Sequence, residues 1–191
     1  MNDKLSTIEL QPYFVNTREF SYDAYTFMKT GAYCSYPSGT YGYKEYWDEQ
    51  TRRCMEGYSV GGIRITGPHY FYLNFLQIKA TTKDSSGLQR KVLTFPKFLD
   101  MDYYYFHEVE KARYEGLSII VAKARRKGFS YKNSALAVHM YNFYRDSTSI
   151  IGAYLQEYSD STMSMSLEMI NFINKHTAWT KRKNPDRHGL S

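Results

Sequence analysis

The spacing of apolar and polar positions predicts four helices. Within residues 95–116, apolar and aromatic side chains recur every three or four positions, which places them on one helical face. Similar spacing predicts helices over residues 131–146 and 159–176. The Ser and Asp at the start of the last helix predict an N-terminal cap. A shorter helix is predicted over residues 43–57, where a glycine ends it.

Two uninterrupted apolar runs differ from these helices. Residues 117–124 and 148–156 are too short for helices and rich in β-branched side chains, so they predict strands covered on both faces of a parallel sheet. From residue 117 the predicted order is strand, helix, strand, helix, which is a βαβ unit with a right-handed crossover. This unit has too few strands for a complete doubly wound domain.

The first half of the chain has weaker patterns. Residues up to 48 predict an irregular arm, because they are rich in Tyr, Ser, Thr and Gly without regular spacing. Residues 61–80 form two β-branched and aromatic runs split by a Gly-Pro turn, and residues 88–95 form a third. These runs predict a small antiparallel β meander. We therefore expect two parts, residues 1–94 and residues 95–191.

Composition and charge narrow the class of protein. The chain has 191 residues, of which 42% are hydrophobic and 17% aromatic, a profile typical of a folded protein. A formal net charge of +6 favours a polyanionic partner, because basic surfaces release the counterions condensed on phosphate. No segment reaches the ~20 apolar residues of a membrane span, so we expect a soluble protein without a membrane partner. Cys34 and Cys54 predict reduced thiols and no metal site.

A basic turn between the first predicted strand and its helix carries the candidate chemistry. The turn KARRKGFS covers Lys123 to Ser130 and lies where a phosphate-binding loop lies, because backbone amides and the positive end of a helix suit an anion there. In the pattern GxxxxGK[ST], Gly128 takes the second glycine position and Ser130 the hydroxyl position that contacts Mg²⁺. Phe129 occupies the lysine position. The required cation is therefore Lys123 or Lys127, and the pattern does not choose between them.

This arrangement resembles the deviant Walker A motif of the large terminase subunits of tailed phages. In that family the lysine is displaced to the start of the motif and an aromatic residue follows the glycine. The resemblance extends to GYSVGGIRITGPHYFYLNFLQI and to FPKFLDMDYYYFHEVEKA upstream, and covers residues 43–160 in all. It implies an α/β fold built on an incomplete P-loop NTPase parallel sheet, preceded by the meander and the arm.

The resemblance also implies site residues. Phe95, Pro96 and Phe98 would line the adenine side, and Asp102 lies where many terminases have an adenine-reading glutamine. One of the two arginines in the turn would sense the γ-phosphate. The implied nucleotide-binding residues are Lys123, Arg125, Arg126, Lys127, Gly128, Phe129 and Ser130, the last with the metal.

The implied function is DNA packaging. By resemblance, the chain is the ATP-binding portion of a viral motor that uses ATP and Mg²⁺ to translocate double-stranded DNA into a procapsid. Its expected partners are the portal, the small terminase subunit and further copies of itself, in the host cytoplasm. No strand ending in Asp-Glu follows the second helix, so the Walker B acids and the nuclease half are missing. We expect a piece of a longer protein that binds nucleotide without turnover.

Two other function classes fit parts of the pattern. A non-enzymatic nucleic-acid-binding module would stack single strands on Tyr70 and Tyr72. A structural virion protein would need neither nucleotide nor DNA. His107 and His139 have no paired nucleophile, so we expect ordinary helix or core roles for them. The basic stretch at residues 181–189 predicts a solvated tail that could contact DNA phosphates.

Overall fold

The computed structural model describes residues 17–83, 87–124, 127–181, 185–186 and 189–190. A 3-10 helix at Thr17–Ser21 precedes the first α-helix. The α-helices are α1 (Tyr22–Thr30), α2 (Tyr41–Glu56), α3 (Gly67–Phe75), α4 (Asp100–Glu115), α5 (Phe129–Phe143) and α6 (Gln156–His176). The strands are β1 (Tyr58–Val60), β2 (Ile63–Ile65), β3 (Ile78–Lys83), β4 (Gln89–Thr94), β5 (Pro185–Asp186) and β6 (Gly189–Leu190).

Four helices follow the sequence patterns closely. The predicted helices over 43–57, 95–116, 131–146 and 159–176 correspond to α2, α4, α5 and α6. Local signals explain the start of α2, where the Thr40 hydroxyl accepts a hydrogen bond from the Tyr43 amide at 3.3 Å. The predicted Ser/Asp cap of α6 is wrong, because that helix begins three residues earlier and has no side-chain cap.

The predicted strand around Tyr70–Phe75 is wrong, because this segment is the helix α3. The Thr66 hydroxyl accepts from the His69 amide at 3.3 Å, and Pro68 lies in the first turn, where its missing N–H costs nothing. Every residue of α3 except Pro68 is buried, since the helix contacts α1, α2, α4 and α5. A helix surrounded on all sides has no polar face, so its sequence lacks the helical period that would identify it.

The antiparallel strands form separate hairpins instead of a three-stranded meander. Strand β1 pairs with β2, from Tyr58 opposite Ile65 to Val60 opposite Ile63. Strand β3 pairs with β4 through six residue pairs, which confirms the predicted hairpin between these two runs. Helix α3 separates the two hairpins along the chain. The third pair, β5 with β6, lies in the basic stretch expected to be a solvated tail.

The two runs predicted as parallel strands carry no strand in the described part of the chain, so the parallel sheet is not shown there. Residues 117–124 have no regular structure and are all exposed, and Ile120 is 97% exposed. Residues 148–155 likewise lack regular structure, and Ile150 is 90% exposed. A parallel strand needs hydrogen-bonded neighbours along its edges, and every strand in the described ranges pairs only with its hairpin partner. The described fold is therefore a helical assembly with small antiparallel sheets.

One aromatic core joins the helices. Trp47 of α2 and Trp179 after α6 meet edge to face, with ring centroids 5.1 Å apart, and both contact Phe75 of α3. The buried cluster runs from Phe20 to Ile173, so it combines residues from both sides of the expected boundary at residue 95. None of the helices in the described ranges is long and apolar enough to cross a membrane.

Candidate functional site

The candidate phosphate loop ends at the first turn of α5. Gly128 is the N-cap of this helix and has a left-handed conformation, φ 71° and ψ 13°. Such a conformation is strained for residues with a Cβ, which explains the glycine at this bend. Because glycine has no side chain, the first amides of α5 receive no side-chain cap. These amides, with the positive end of the helix dipole, form an arrangement that suits an anion.

Cations flank this bend on the side of the preceding segment. Lys123 and Lys127 are both exposed, and the Lys123 ammonium lies 5.7 Å from the centroid of the Phe129 ring. Arg125 and Arg126 lie outside the described residues. Ser130 is exposed in the first turn of α5, so its hydroxyl faces solvent. The structure thus leaves two lysines and one hydroxyl accessible beside the helix N-terminus.

Phe129 anchors the bend to the protein interior. Its ring is buried and meets Tyr105 of α4 edge to face, with centroids 4.9 Å apart. The Lys132 ammonium lies 4.3 Å from the centroid of the same ring. Phe129 was expected among the nucleotide-binding residues; in this position its side chain contacts α4 and the interior face of α5.

A buried ion pair lies beneath the bend. The Lys132 ammonium contacts the carboxylate of Asp102 on α4, and the two residues are 1% and 2% exposed. Burial raises the pKa of Asp102, an effect that the hydrogen bond and charge of Lys132 oppose. Sequence reasoning missed this pair. The available signal was that each charge lies within an apolar helical stripe, Asp102 beside Phe106 and Lys132 beside Ala135.

The expected adenine-side residues lie in the core. Phe95 and Pro96 are buried, and the Phe95 ring meets Phe172 of α6 edge to face at 5.8 Å. The half-buried Phe98 ring stacks on Phe20 and on His69, with centroid distances of 5.4 Å and 5.3 Å. These contacts join residues 95–98 to the 3-10 helix, to α3 and to α6. Asp102, expected near the adenine, is the partner of Lys132.

Three histidines pack against neighbouring residues. For His107 and His139 the sequence predicts such ordinary helix or core roles. His139 donates from Nε2 to the Cys54 carbonyl at 2.6 Å, and burial lowers its pKa to about 4. His107 is bonded through Nδ1 to the Tyr103 carbonyl of its own helix at 2.8 Å. His69 is completely buried between the Phe98 and Phe106 rings, and burial lowers its pKa to about 3.

Tyr70 and Tyr72 are unavailable as a stacking platform for single-stranded nucleic acid. Both rings are buried within α3, at 1% and 3% exposure. The Tyr70 hydroxyl donates to the buried carboxylate of Asp23 at 2.6 Å, and Tyr46 donates to the same carboxylate at 2.7 Å. A base could reach these rings only if the core opened. This alternative loses its aromatic platform and keeps the basic net charge of +6 as its remaining motivation.

A separate cleft of about 560 Å³ lies between α1 and α2. Its walls include Asp23, Glu45 and Glu49, together with four tyrosines and Arg53. None of its lining residues belongs to the predicted nucleotide site. An excess of carboxylates opposes the binding of phosphate, so this cleft does not compete with the bend at Gly128 as a nucleotide site.

Within the described residues, no group of three or more His, Cys, Asp or Glu side chains is arranged to hold a metal ion.

Comparisons with known proteins bring no further assignment. No family model matches the sequence, no curated protein matches it, and no solved structure matches the fold.

Proposed function

We propose that this chain is the ATP-binding portion of a large terminase subunit, the motor that moves double-stranded DNA into a viral procapsid. The observation that carries the proposal is the bend at Gly128, where a left-handed glycine exposes the N-terminus of α5 beside two lysines. The sequence of this bend resembles the family's deviant Walker A motif. The net charge of +6 favours the same kind of polyanionic partner.

The residues at the bend fit a triphosphate with its metal. Uncapped amides at the start of α5 would donate to phosphate oxygens, and Lys123 or Lys127 would supply the positive charge. The exposed Ser130 hydroxyl would contact the Mg²⁺ that accompanies ATP. Bound Mg²⁺ would neutralise phosphate charge. We expect nucleotide binding without turnover, because the sequence contains no Walker B strand.

The proposed function includes a parallel sheet. In this proposal residues 117–124 and 148–156 are inner strands that pair with further strands of a P-loop NTPase sheet. Support comes from their composition and exposure, because the first run exposes several neighbouring apolar side chains, Ile120 at 97%, and Ile150 of the second run is 90% exposed; clustered apolar surface usually marks a contact with another element or partner. The phosphate loop would then follow the carboxyl end of an inner strand. The portal, the small terminase subunit and further copies of the chain are proposed partners on the resemblance alone.

Nucleotide affinity tests this proposal directly. We expect Lys123→Ala or Lys127→Ala, whichever removes the phosphate-binding cation, to weaken Mg²⁺-ATP binding about tenfold, because a charge-assisted hydrogen bond contributes roughly 1.5–3 kcal/mol. Ser130→Ala should abolish the gain in affinity that Mg²⁺ gives over ATP alone. The matched control is Lys29→Ala, which removes an exposed lysine from the last turn of α1.

Isothermal titration of the purified chain with ATP, with and without Mg²⁺, measures these effects. If both loop lysine variants and Ser130→Ala bind ATP as tightly as Lys29→Ala, the bend at Gly128 does not bind the phosphates. If the unmodified chain binds double-stranded DNA but no ATP, a basic DNA-binding protein replaces the motor portion.

A further inference from the structure

The Asp102–Lys132 ion pair is almost completely buried, which is unusual for charged residues. Both side chains are at least 98% buried, and two charges removed from water lose their hydration, a cost that their mutual attraction must offset. Apolar residues of similar volume often stabilise a core as well as such a pair does. A role in fixing one arrangement of the surrounding helices would explain charges at these two positions.

The pair lies directly against the candidate phosphate loop. The Lys132 amide donates to the Gly128 carbonyl at 3.2 Å, which closes the first turn of α5. The Lys132 ammonium lies 4.3 Å from the centroid of the Phe129 ring, on the residue that follows the glycine. The Lys132 side chain therefore contacts the interior side of the bend, and the Lys132 backbone amide closes the turn at the bend.

Helix α4 holds this turn at further points. Asp102 lies in the first turn of α4, and its amide donates to the Leu99 carbonyl at 2.9 Å. Tyr105, one turn later, contacts the Phe129 ring and donates from its hydroxyl to the Asn133 side chain at 3.0 Å. The start of α4 and the start of α5 are thus joined by an ion pair, an aromatic contact and a hydrogen bond.

We propose that Asp102 and Lys132 are positioning residues for the phosphate loop. The ion pair holds the first turn of α5 against α4, so that Phe129 stays in the interior and the amides after Gly128 face the anion. Neither residue touches the nucleotide, because both are buried and paired with each other. This proposal rests on the proposed function for the identity of its ligand. The effect of the ion pair on the loop does not require a bound ligand.

The main test replaces the pair by apolar residues, Asp102→Leu with Lys132→Met. We expect a urea midpoint close to that of the unmodified protein, because the buried charges are removed together. Hydrogen exchange of the amides of residues 132–135, the first that are bonded within α5, should nevertheless be about tenfold faster in the absence of nucleotide, since local opening of this turn becomes easier. ATP affinity should fall about tenfold with it, because the loop is then less preorganised.

A matched control uses another ion pair of α4. Arg64 of β2 contacts Glu110 at 2.7 Å and 3.0 Å on the surface, and Arg64→Gln with Glu110→Gln should leave exchange at residues 132–135 unchanged. Should the apolar double variant fail to fold, the pair Asp102→Asn with Lys132→Gln removes both charges and keeps polar side chains at the two positions. We expect at least about threefold faster exchange in this milder variant.

The outcomes separate the two proposals. Exchange and affinity that stay at the unmodified values in both pair variants overturn the positioning role and leave an ordinary buried ion pair. Faster exchange at residues 132–135 in a protein that binds no ATP supports the positioning role and rejects the proposed function. A loss of ATP affinity with unchanged exchange also overturns the positioning role, because the pair would then act on the nucleotide itself.

Discussion

The buried histidines His69 and His139 make the protein sensitive to acid. Burial is the main cause that lowers the pKa of His69 to about 3, with smaller contributions from His107 and Lys132. Burial and, to a smaller extent, Arg113 lower the pKa of His139 to about 4 against the opposing hydrogen bond to the Cys54 carbonyl. The unfolded chain therefore takes up protons first as the pH falls below about 6.5. The contribution of the two histidines to the free energy of unfolding is fully present above this pH. It declines below this pH and is lost completely only below the folded pKa values.

A titration of stability measures this effect. Between pH 7 and pH 5 each histidine should remove about 2 kcal/mol from the free energy of unfolding, as the linkage relation requires. His69→Phe keeps an aromatic ring between Phe98 and Phe106 without a titrating group. Urea unfolding of this variant should show a loss over the same pH range that is smaller by about 2 kcal/mol. An equal loss in both proteins would mean that His69 is protonated in the folded state.

At the scale of elements, α2 and α3 approach each other at Gly67. A Cβ on this residue would lie 2.2 Å from the Cys54 carbonyl oxygen and 2.8 Å from its carbon, so the backbones must separate to accept any side chain. The same carbonyl accepts the His139 hydrogen bond. The contact therefore fixes α2, α3 and α5 at one point.

We expect Gly67→Ala to lower the free energy of unfolding by about 3 kcal/mol, because overpacking of backbone against backbone has no flexible side chain to relieve it. The matched control is Gly152→Ala, where nothing lies within 4 Å of the added Cβ and φ is not left-handed. Its stability should change by less than about 0.5 kcal/mol. Urea unfolding of the two variants measures the difference, and equal stabilities would contradict the close approach.

The sequence predicts some helices better than others, and the reason is physical. Helices α4 and α6 have one face in the core and one in solvent, so their sequences carry the helical period. Helix α3 is buried on all sides and reads as an apolar run, which sequence reasoning took for a strand. The runs at 117–124 and 148–156 gave the same signal and are exposed in the described fold.

At the scale of the whole molecule, the core is continuous across the expected boundary at residue 95. Trp47 and Trp179 come from opposite sides of the expected boundary and contact the same phenylalanine of α3. The Trp179 indole also donates to the Thr51 hydroxyl at 2.8 Å. We expect one cooperative unfolding transition, because neither part can lose its packing without exposing the other.

Two probes test this cooperativity. In Trp47→Phe only Trp179 reports by fluorescence, and in Trp179→Phe only Trp47 does. Within each variant the fluorescence midpoint in urea should equal the far-ultraviolet circular dichroism midpoint. Separate midpoints would show that residues 1–94 and 95–191 unfold independently, as the expected two-part organisation would allow.

The sequence by itself determined the local features of this protein. It placed four of the six α-helices in the described ranges and the β3–β4 hairpin, and it located a glycine bend with lysines before it and a hydroxyl after it at the start of α5, because caps, turns and helical periods depend on neighbouring residues. Only the tertiary structure decided that α3 is a helix and that Phe129 faces inward. It also decided that Asp102 pairs with Lys132. These outcomes depend on contacts between residues distant in the chain, and burial on all sides removes the alternation of polar and apolar positions on which sequence reasoning relies.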